Sequence, residues 1–229
     1  TLFRSKENNE MKKNLFMILG ILTLGTSVFA KDNVVEFKTG FSPAPRYDVT
    51  PSKKAKFSYE IGAEYRYLVT ENTELGAGIA YQSHGKLKGF TDVEDKNLKV
   101  GVEPIKLYDS VPLYATVKYN FRNSSDITPY VKADLGYSFN VNGNNKAEYK
   151  TYSKATGAVL DSGTLKELKA KNGMYYSVGT GITYKGFVVG LAYQVNTAKI
   201  KGTRYDGTKD SGSANFRRMT VNLGYQFIF

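Results

Sequence analysis

Residues Arg218 to Phe229 read Arg-Met-Thr-Val-Asn-Leu-Gly-Tyr-Gln-Phe-Ile-Phe, and they alternate from end to end. Met219, Val221, Leu223, Tyr225, Phe227 and Phe229 fall on one face, and Arg218, Thr220, Asn222, Gly224 and Gln226 fall on the other. A period of two marks a β-strand. A soluble protein would bury the apolar face and would seldom end on three alternating aromatics. A strand between lipid and a polar lumen needs one face of each kind.

The same alternation recurs upstream. Val34 to Phe41 sets Val35, Phe37, Thr39 and Phe41 against Glu36 and Lys38. Phe57 to Tyr67 sets Phe57, Tyr59, Ile61, Ala63, Tyr65 and Tyr67 against Ser58, Glu60, Gly62, Glu64 and Arg66. Further strands are expected at Leu75 to Tyr81, Leu113 to Phe121, Pro129 to Val141, Met174 to Tyr184 and Phe187 to Val195. With the C-terminal strand these make eight, joined by connections that alternate long and short. Four long loops on one side and three tight turns on the other are the asymmetry of an outer-membrane barrel, with both mature chain ends on the periplasmic side. The expected fold is all-β, an eight-stranded antiparallel up-and-down transmembrane β-barrel. None of the six prolines is expected inside a strand, because each would remove a ladder hydrogen bond.

Charge sorts with the same faces. The outward positions carry none, while the inward positions carry Glu36, Lys38, Glu60, Glu64, Arg66, Lys118, Lys132, Asp134 and Arg218. A lipid-facing Lys or Arg at mid-depth costs ~2–4 kcal/mol, so this sorting suits a membrane wall. A soluble sandwich or a lipocalin-like barrel needs the opposite polarity.

Ahead of the barrel, residues 1–10 are polar and patternless, and they are set outside the fold. Residues 11–30 hold two lysines, an apolar run from Leu15 to Leu24, and Val28 and Ala30 as small residues before a cut. That is the plan of a secretory signal peptide, and the run is about half of the ~20 apolar residues a spanning helix needs. Residues 31–229 then form the mature barrel. The absence of cysteine excludes a disulfide scaffold, a thiolate metal site and a lipobox-type anchor. Net charge is +11 and falls to +9 without residues 1–30, so the surface suits anionic partners.

Asn222-x-Gly224-x-x-Phe227-x-Phe229 resembles the C-terminal signal by which outer-membrane barrels are recognised and inserted. Across Lys31 to Phe229 the chain is similar to the eight-stranded OmpA/OmpX/Opa-type outer-membrane barrels. Members of that group serve as adhesins, immune-evasion surfaces, wall tethers, conduits for small or apolar solutes and, in a few cases, lipid-modifying enzymes. A wall tether of the OmpA kind carries a periplasmic domain after its barrel, so with the sequence read to Phe229 that role is not the expected one. The resemblance implies a bacterial outer-membrane location, with lipid, lipopolysaccharide and the barrel assembly machinery as partners. It also implies a monomer with host surface ligands for the loops and no nucleic acid.

An eight-stranded barrel is only just wide enough for its own side chains, so the inward charges read as a salt-bridged plug. Glu60 and Glu64 are the expected acidic partners of Arg66, Lys118, Lys132 and Arg218; an ion path is the competing reading. The single histidine, His84, follows Ser83, and lipid A deacylases of this fold use a Ser and a His near the outer surface, where Glu103 or Asp109 would orient the ring. Adjacent strand residues point to opposite faces, so His84 reads instead as a solvated loop-base residue. No catalytic, cofactor or metal site is expected. Residues 142–172 read as strand, turn and strand extending the wall outward. Loop lysines suit either lipopolysaccharide phosphates or an anionic host surface. The expected function is that of a structural or surface-interaction, adhesin-like protein working through its long loops; a porin-like conduit is the alternative and a lipid-modifying enzyme the third.

Overall fold

Alternating sequence becomes strand throughout the computed structural model, which describes residues 33–49, 54–94, 97–204 and 208–229. In chain order the strands are β1 (Asn33–Ser42), β2 (Arg46–Tyr47), β3 (Ser58–Leu68), β4 (Thr73–Ser83), β5 (Phe90–Glu94), β6 (Leu98–Val102), β7 (Asp109–Asn120) and β8 (Ile127–Val141). They continue as β9 (Asn144–Ser153), β10 (Val159–Lys171), β11 (Gly173–Tyr184), β12 (Phe187–Asn196), β13 (Lys199–Arg204), β14 (Lys209–Ser213) and β15 (Phe216–Ile228). The expected signal peptide lies outside the described residues.

Eight of these strands close on themselves in the order β1-β3-β4-β7-β8-β11-β12-β15, with β15 pairing back to β1. All neighbours are antiparallel, so the wall is an eight-stranded up-and-down barrel. The seam is complete to its last rung, where Asn33 N donates to Phe229 O at 3.1 Å and Phe229 N to Asn33 O at 3.0 Å. At the short-turn end, β11 and β12 are joined by Lys185 and Gly186 alone, both at positive φ (47° and 87°). Two left-handed residues give the turn whose twist matches that of the strands.

Outward residues touch only their neighbours on the wall and stay largely exposed: Phe37 is 57 % exposed, Leu135 62 % and Val178 60 %. Inward residues such as Arg66 and Glu60 are sealed. This inverted polarity leaves a continuous apolar belt that only lipid would cover.

Two prolines depart from expectation, since Pro112 lies within β7 and Pro129 within β8. Pro112 is tolerated because the β4–β7 ladder lapses there, between Ile79↔Leu113 and Gln82↔Ser110. The Pro129 carbonyl accepts from Phe121 N at 2.8 Å. Its missing N–H therefore faces the turn beyond Asn120 rather than its partner Ile182.

The long loops also hold more strand than their polar composition suggests. The third loop forms the expected hairpin, β9–β10. The second and fourth form hairpins too, β5–β6 and β13–β14, and all three join in one sheet of order β14-β13-β10-β9-β6-β5. The first loop closes the remaining arc through the bridges Arg46↔Lys54, Ala55↔Leu87 and Leu87↔Ile105. The wall thus continues beyond the belt as a collar. Its interior is apolar: Tyr47, Ala55, Leu87, Leu107, Tyr108, Ala147, Leu168, Ala198, Ala214 and Phe216 pack together from all four loops.

Candidate functional site

Beneath the collar the lumen is filled by two knots of charge. The first is centred on Arg66 of β3, whose guanidinium meets Glu36 at 2.8 Å, Glu64 at 2.5 Å and Glu74 at 2.7 Å. Glu64 Oε1 also receives Lys38 Nζ at 2.8 Å, the Tyr114 hydroxyl at 2.8 Å and Lys132. Lys132 lies 3.7 Å from Asp134, which accepts from Thr116 Oγ1 at 2.7 Å. The second knot lies toward the collar, where Arg218 NH2 meets Glu60 Oε2 at 2.5 Å. Gln82 and Gln194 donate to the two Glu60 oxygens at 2.9 and 3.1 Å, and Gln194 Oε1 accepts from Arg218 Nε at 2.6 Å.

All nine inward charges read from the sequence therefore face the lumen, and eight of them meet an opposite charge within the two knots. Asp134 joins only through Lys132 at 3.7 Å. Lys118 has no carboxylate within ion-pair distance among the described residues. Its ammonium donates to Gln226 Oε1 at 3.0 Å and lies 4.5 Å from the Tyr130 ring. Sequence reading missed Glu74, having started the strand at Leu75, although Glu74 continues the inward parity of Gly76 and Gly78. With it the lumen carries five acidic residues (Glu36, Glu60, Glu64, Glu74, Asp134) and five basic ones (Lys38, Arg66, Lys118, Lys132, Arg218). A balanced set of direct pairs fills a bore this narrow. The cavity beside Lys132 and Asn222 measures about 20 Å³, room for about one water.

The glycines explain how large lumen side chains fit. A Cβ on Gly78 would lie 2.6 Å from the Tyr114 ring, so the Tyr114 side chain occupies the space that Gly78 leaves.

His84 is buried, not solvated, at 2 % exposure. Its ring stacks on Phe216 at 3.9 Å and 14°, with Tyr108 and Tyr47 edge-on at 4.9 and 6.4 Å. Asn196 Nδ2 lies 3.4 Å from Nε2, and Nδ1 has no partner among the described residues. Burial, then the charges of Arg218 and Lys106, hold the imidazole well below the ordinary histidine range. The sequence misled here because the flanking Ser83 and Gly85 are polar or small, whereas the aromatics that enclose the ring come from residues 47, 108 and 216. The hydrolase arrangement is not assembled. Ser83 Oγ accepts from Lys106, Glu103 meets Lys150 and Tyr152, and Asp109 Oδ1 accepts the backbone N–H of His84 rather than its ring. Among the described residues no group of three His, Asp or Glu has metal-holding geometry.

The C-terminal residues take distinct places on β15. Gly224 lets β1 approach, since a Cβ there would meet Phe37 O at 2.8 Å. Phe227 packs edge-on to Phe37 and Tyr225 at 6.4 and 4.9 Å, and Phe229 stands 60 % exposed at the rim. Asn222 points inward with its Oδ1 lacking a protein partner among the described residues.

No protein-family model matches the chain. It is 29 % identical over 233 residues to the uncharacterized protein PM1543 of Pasteurella multocida, spanning 92 % of this chain and 97 % of that one. Among solved structures it is similar to Ail, the attachment invasion locus protein of Yersinia pestis (12 % identity, TM-score 0.38, 86 % of this chain and 100 % of that one). Neisserial surface protein A gives 14 % identity and a TM-score of 0.39, with 85 % and 97 % covered. The outer membrane protein OprG of Pseudomonas aeruginosa gives 11 % and 0.40, with 86 % and 96 % covered.

Proposed function

We propose that this chain is a bacterial outer-membrane barrel whose lumen is closed to solutes and whose collar is the working part, a structural or surface-interaction module of adhesin-like character. The observation that carries this reading is the pairing of a filled bore with an elaborate exterior. Two charge knots and an apolar collar core block the axis, while three loops build a six-stranded sheet standing clear of the lipid belt. A barrel that served only as a conduit would gain nothing from that sheet. The first loop, β2 and the His84 stack tie the collar to the wall, so its outer face is held rigidly for contact with other surfaces.

The test compares cells with and without the protein for binding to host-cell surfaces and extracellular matrix, alongside a strain in which β9–β10 is shortened to a tight turn. Binding that needs the barrel with its intact sheet supports the reading. Binding unaffected by loss of the protein, together with slower uptake of a small solute, would instead favour the conduit.

A further inference from the structure

Two clusters of lysine stand on the outer surface beyond the lipid-facing belt, and neither the lumen nor the collar core uses them. Lys54 and Lys56 lead into β3, and Lys86 and Lys88 follow β4. Lys56 N donates to Lys86 O at 2.8 Å and Lys88 N to Lys54 O at 3.1 Å, around the Ala55↔Leu87 bridge. Lys54 therefore faces Lys88 and Lys56 faces Lys86, while Ala55 and Leu87 turn into the collar core. On the other flank the β10–β13 register sets Lys169 opposite Lys201 and Lys171 opposite Lys199, with Leu168, Ala170 and Ile200 turned inward. All eight lysines are exposed.

Like charges directly opposite one another destabilise an antiparallel ladder, and here four such pairs occur. Acids on neighbouring strands do not relieve them. Glu167 meets Lys146 at 3.7 Å, Glu103 meets Lys150 at 3.5 Å and Asp109 meets Lys106 at 2.8 Å. Among the described residues none of the eight has an ion-pair partner.

Their placement says what neutralises them. One cluster stands above β3 and β4 and the other above β11 and β12, four strand positions away around a closed wall of eight, hence on opposite flanks. Each adjoins the belt. Phe57, stacked on Phe41 at 6.2 Å, follows Lys56 directly. Met174, 47 % exposed, comes three residues after Lys171, a rise of ~10 Å along a strand. A soluble polyanion approaching from above would have to pass over the collar to reach both flanks, whereas the lipid around a barrel touches both at once.

We propose that the two lysine clusters grip the phosphate groups of the outer-leaflet glycolipid packed against the barrel, one cluster on each side. The proposal rests on the outer-membrane reading above and assigns that reading its lipid contacts. Phosphates lodged between opposed lysines cancel their repulsion, and the contact is weakened by salt.

The test uses the whole mature chain folded in an uncharged detergent and titrated with bisphosphorylated lipid A or its dephosphorylated form, with bound lipid counted by native mass spectrometry. Two variants, K54Q/K56Q/K86Q/K88Q and K169Q/K171Q/K199Q/K201Q, are compared alone and combined. The unaltered protein is expected to prefer the phosphorylated lipid by about tenfold or more, less so in high salt. Each variant should lose about half of the bound phosphorylated lipid, and their combination the whole preference. Heat-modifiable gel migration reports a closed barrel in every sample. Folded variants that keep the preference, or equal binding of both lipids by the unaltered chain, would overturn the proposal. So would heparin binding lost in the variants while lipid A binding persists, which would reassign the clusters to a soluble polyanion. Failure of the outer-membrane reading itself looks different: the unaltered chain would show no heat-modifiable form with either lipid.

Discussion

Arg66 shows how a single residue holds the lumen. Its three N–H directions each meet a different carboxylate, from Glu36, Glu64 and Glu74, and only a planar guanidinium supplies that fork. Removing one partner from a buried ion cluster costs ~3–5 kcal/mol, because the charges left behind stay desolvated. Arg66→Leu should therefore lower the thermal midpoint in detergent sharply, and Arg66→Lys should restore little of it. An unchanged midpoint in the leucine variant would mean that these contacts hold no stability. His84 carries the pH response of the collar. Its folded pKa lies below the unfolded value of ~6.5, so the neutral ring's stabilising contribution is present above that pH and is lost as pH falls toward the folded value. Amide exchange at Leu107 and Tyr108, corrected for intrinsic rates, should quicken between pH 7 and pH 5. The His84→Phe variant should not show that change, and equal quickening in both would assign the response elsewhere.

Among elements, β4 and β7 depend on one another through Gly78 and Tyr114. A valine at Gly78 would drive into the Tyr114 ring and disturb its hydrogen bond to Glu64. Overpacking of this kind costs ~1–3 kcal/mol, so Gly78→Val should fold in lower yield and melt earlier. Retained yield and midpoint would show that the ring has room to move. At β15, replacing both Phe227 and Phe229 by alanine should reduce outer-membrane levels and leave unfolded chain in the periplasm. Normal levels of heat-modifiable surface protein would remove the assembly role from these residues. The barrel strands were legible because lipid on one side and charge on the other impose alternation in nearly every wall residue. Glu74 escaped because Thr70-Glu71-Asn72-Thr73 reads as a turn and set the strand's start at Leu75, whereas β4 already begins at Thr73. The collar was legible only at β9–β10. Its other hairpins are short, with apolar residues too few per strand to show a period, and they are held in the collar by pairing with far-separated segments, β6 with β9 and β13 with β10. The burial of His84 likewise depends on aromatics distant from it in sequence, Tyr47, Tyr108 and Phe216.

The whole molecule divides along its axis into a rim of short turns, a charged but balanced lumen and an apolar-cored collar. Among the described residues the bore carries five acids and five bases, so it has no field of one sign, and the cavity beside Lys132 within it measures about 20 Å³. Glu60 and Glu64 join both knots to the wall, so their joint replacement separates a plug from a pore. In a plug, E60Q/E64Q strands Lys38 and Arg218, removes one of the three carboxylates around Arg66, and lowers the melting point while conductance stays small. The deciding measurement is the current through single purified barrels in a planar bilayer under a salt gradient, for the unaltered chain and for E60Q/E64Q. A closed lumen gives no stable open level in the unaltered protein and no anion-selective reversal potential in the variant. A resolved open state whose reversal potential shifts toward anions in the variant, with the melting point unchanged, would contradict the closed lumen and make the barrel a conduit.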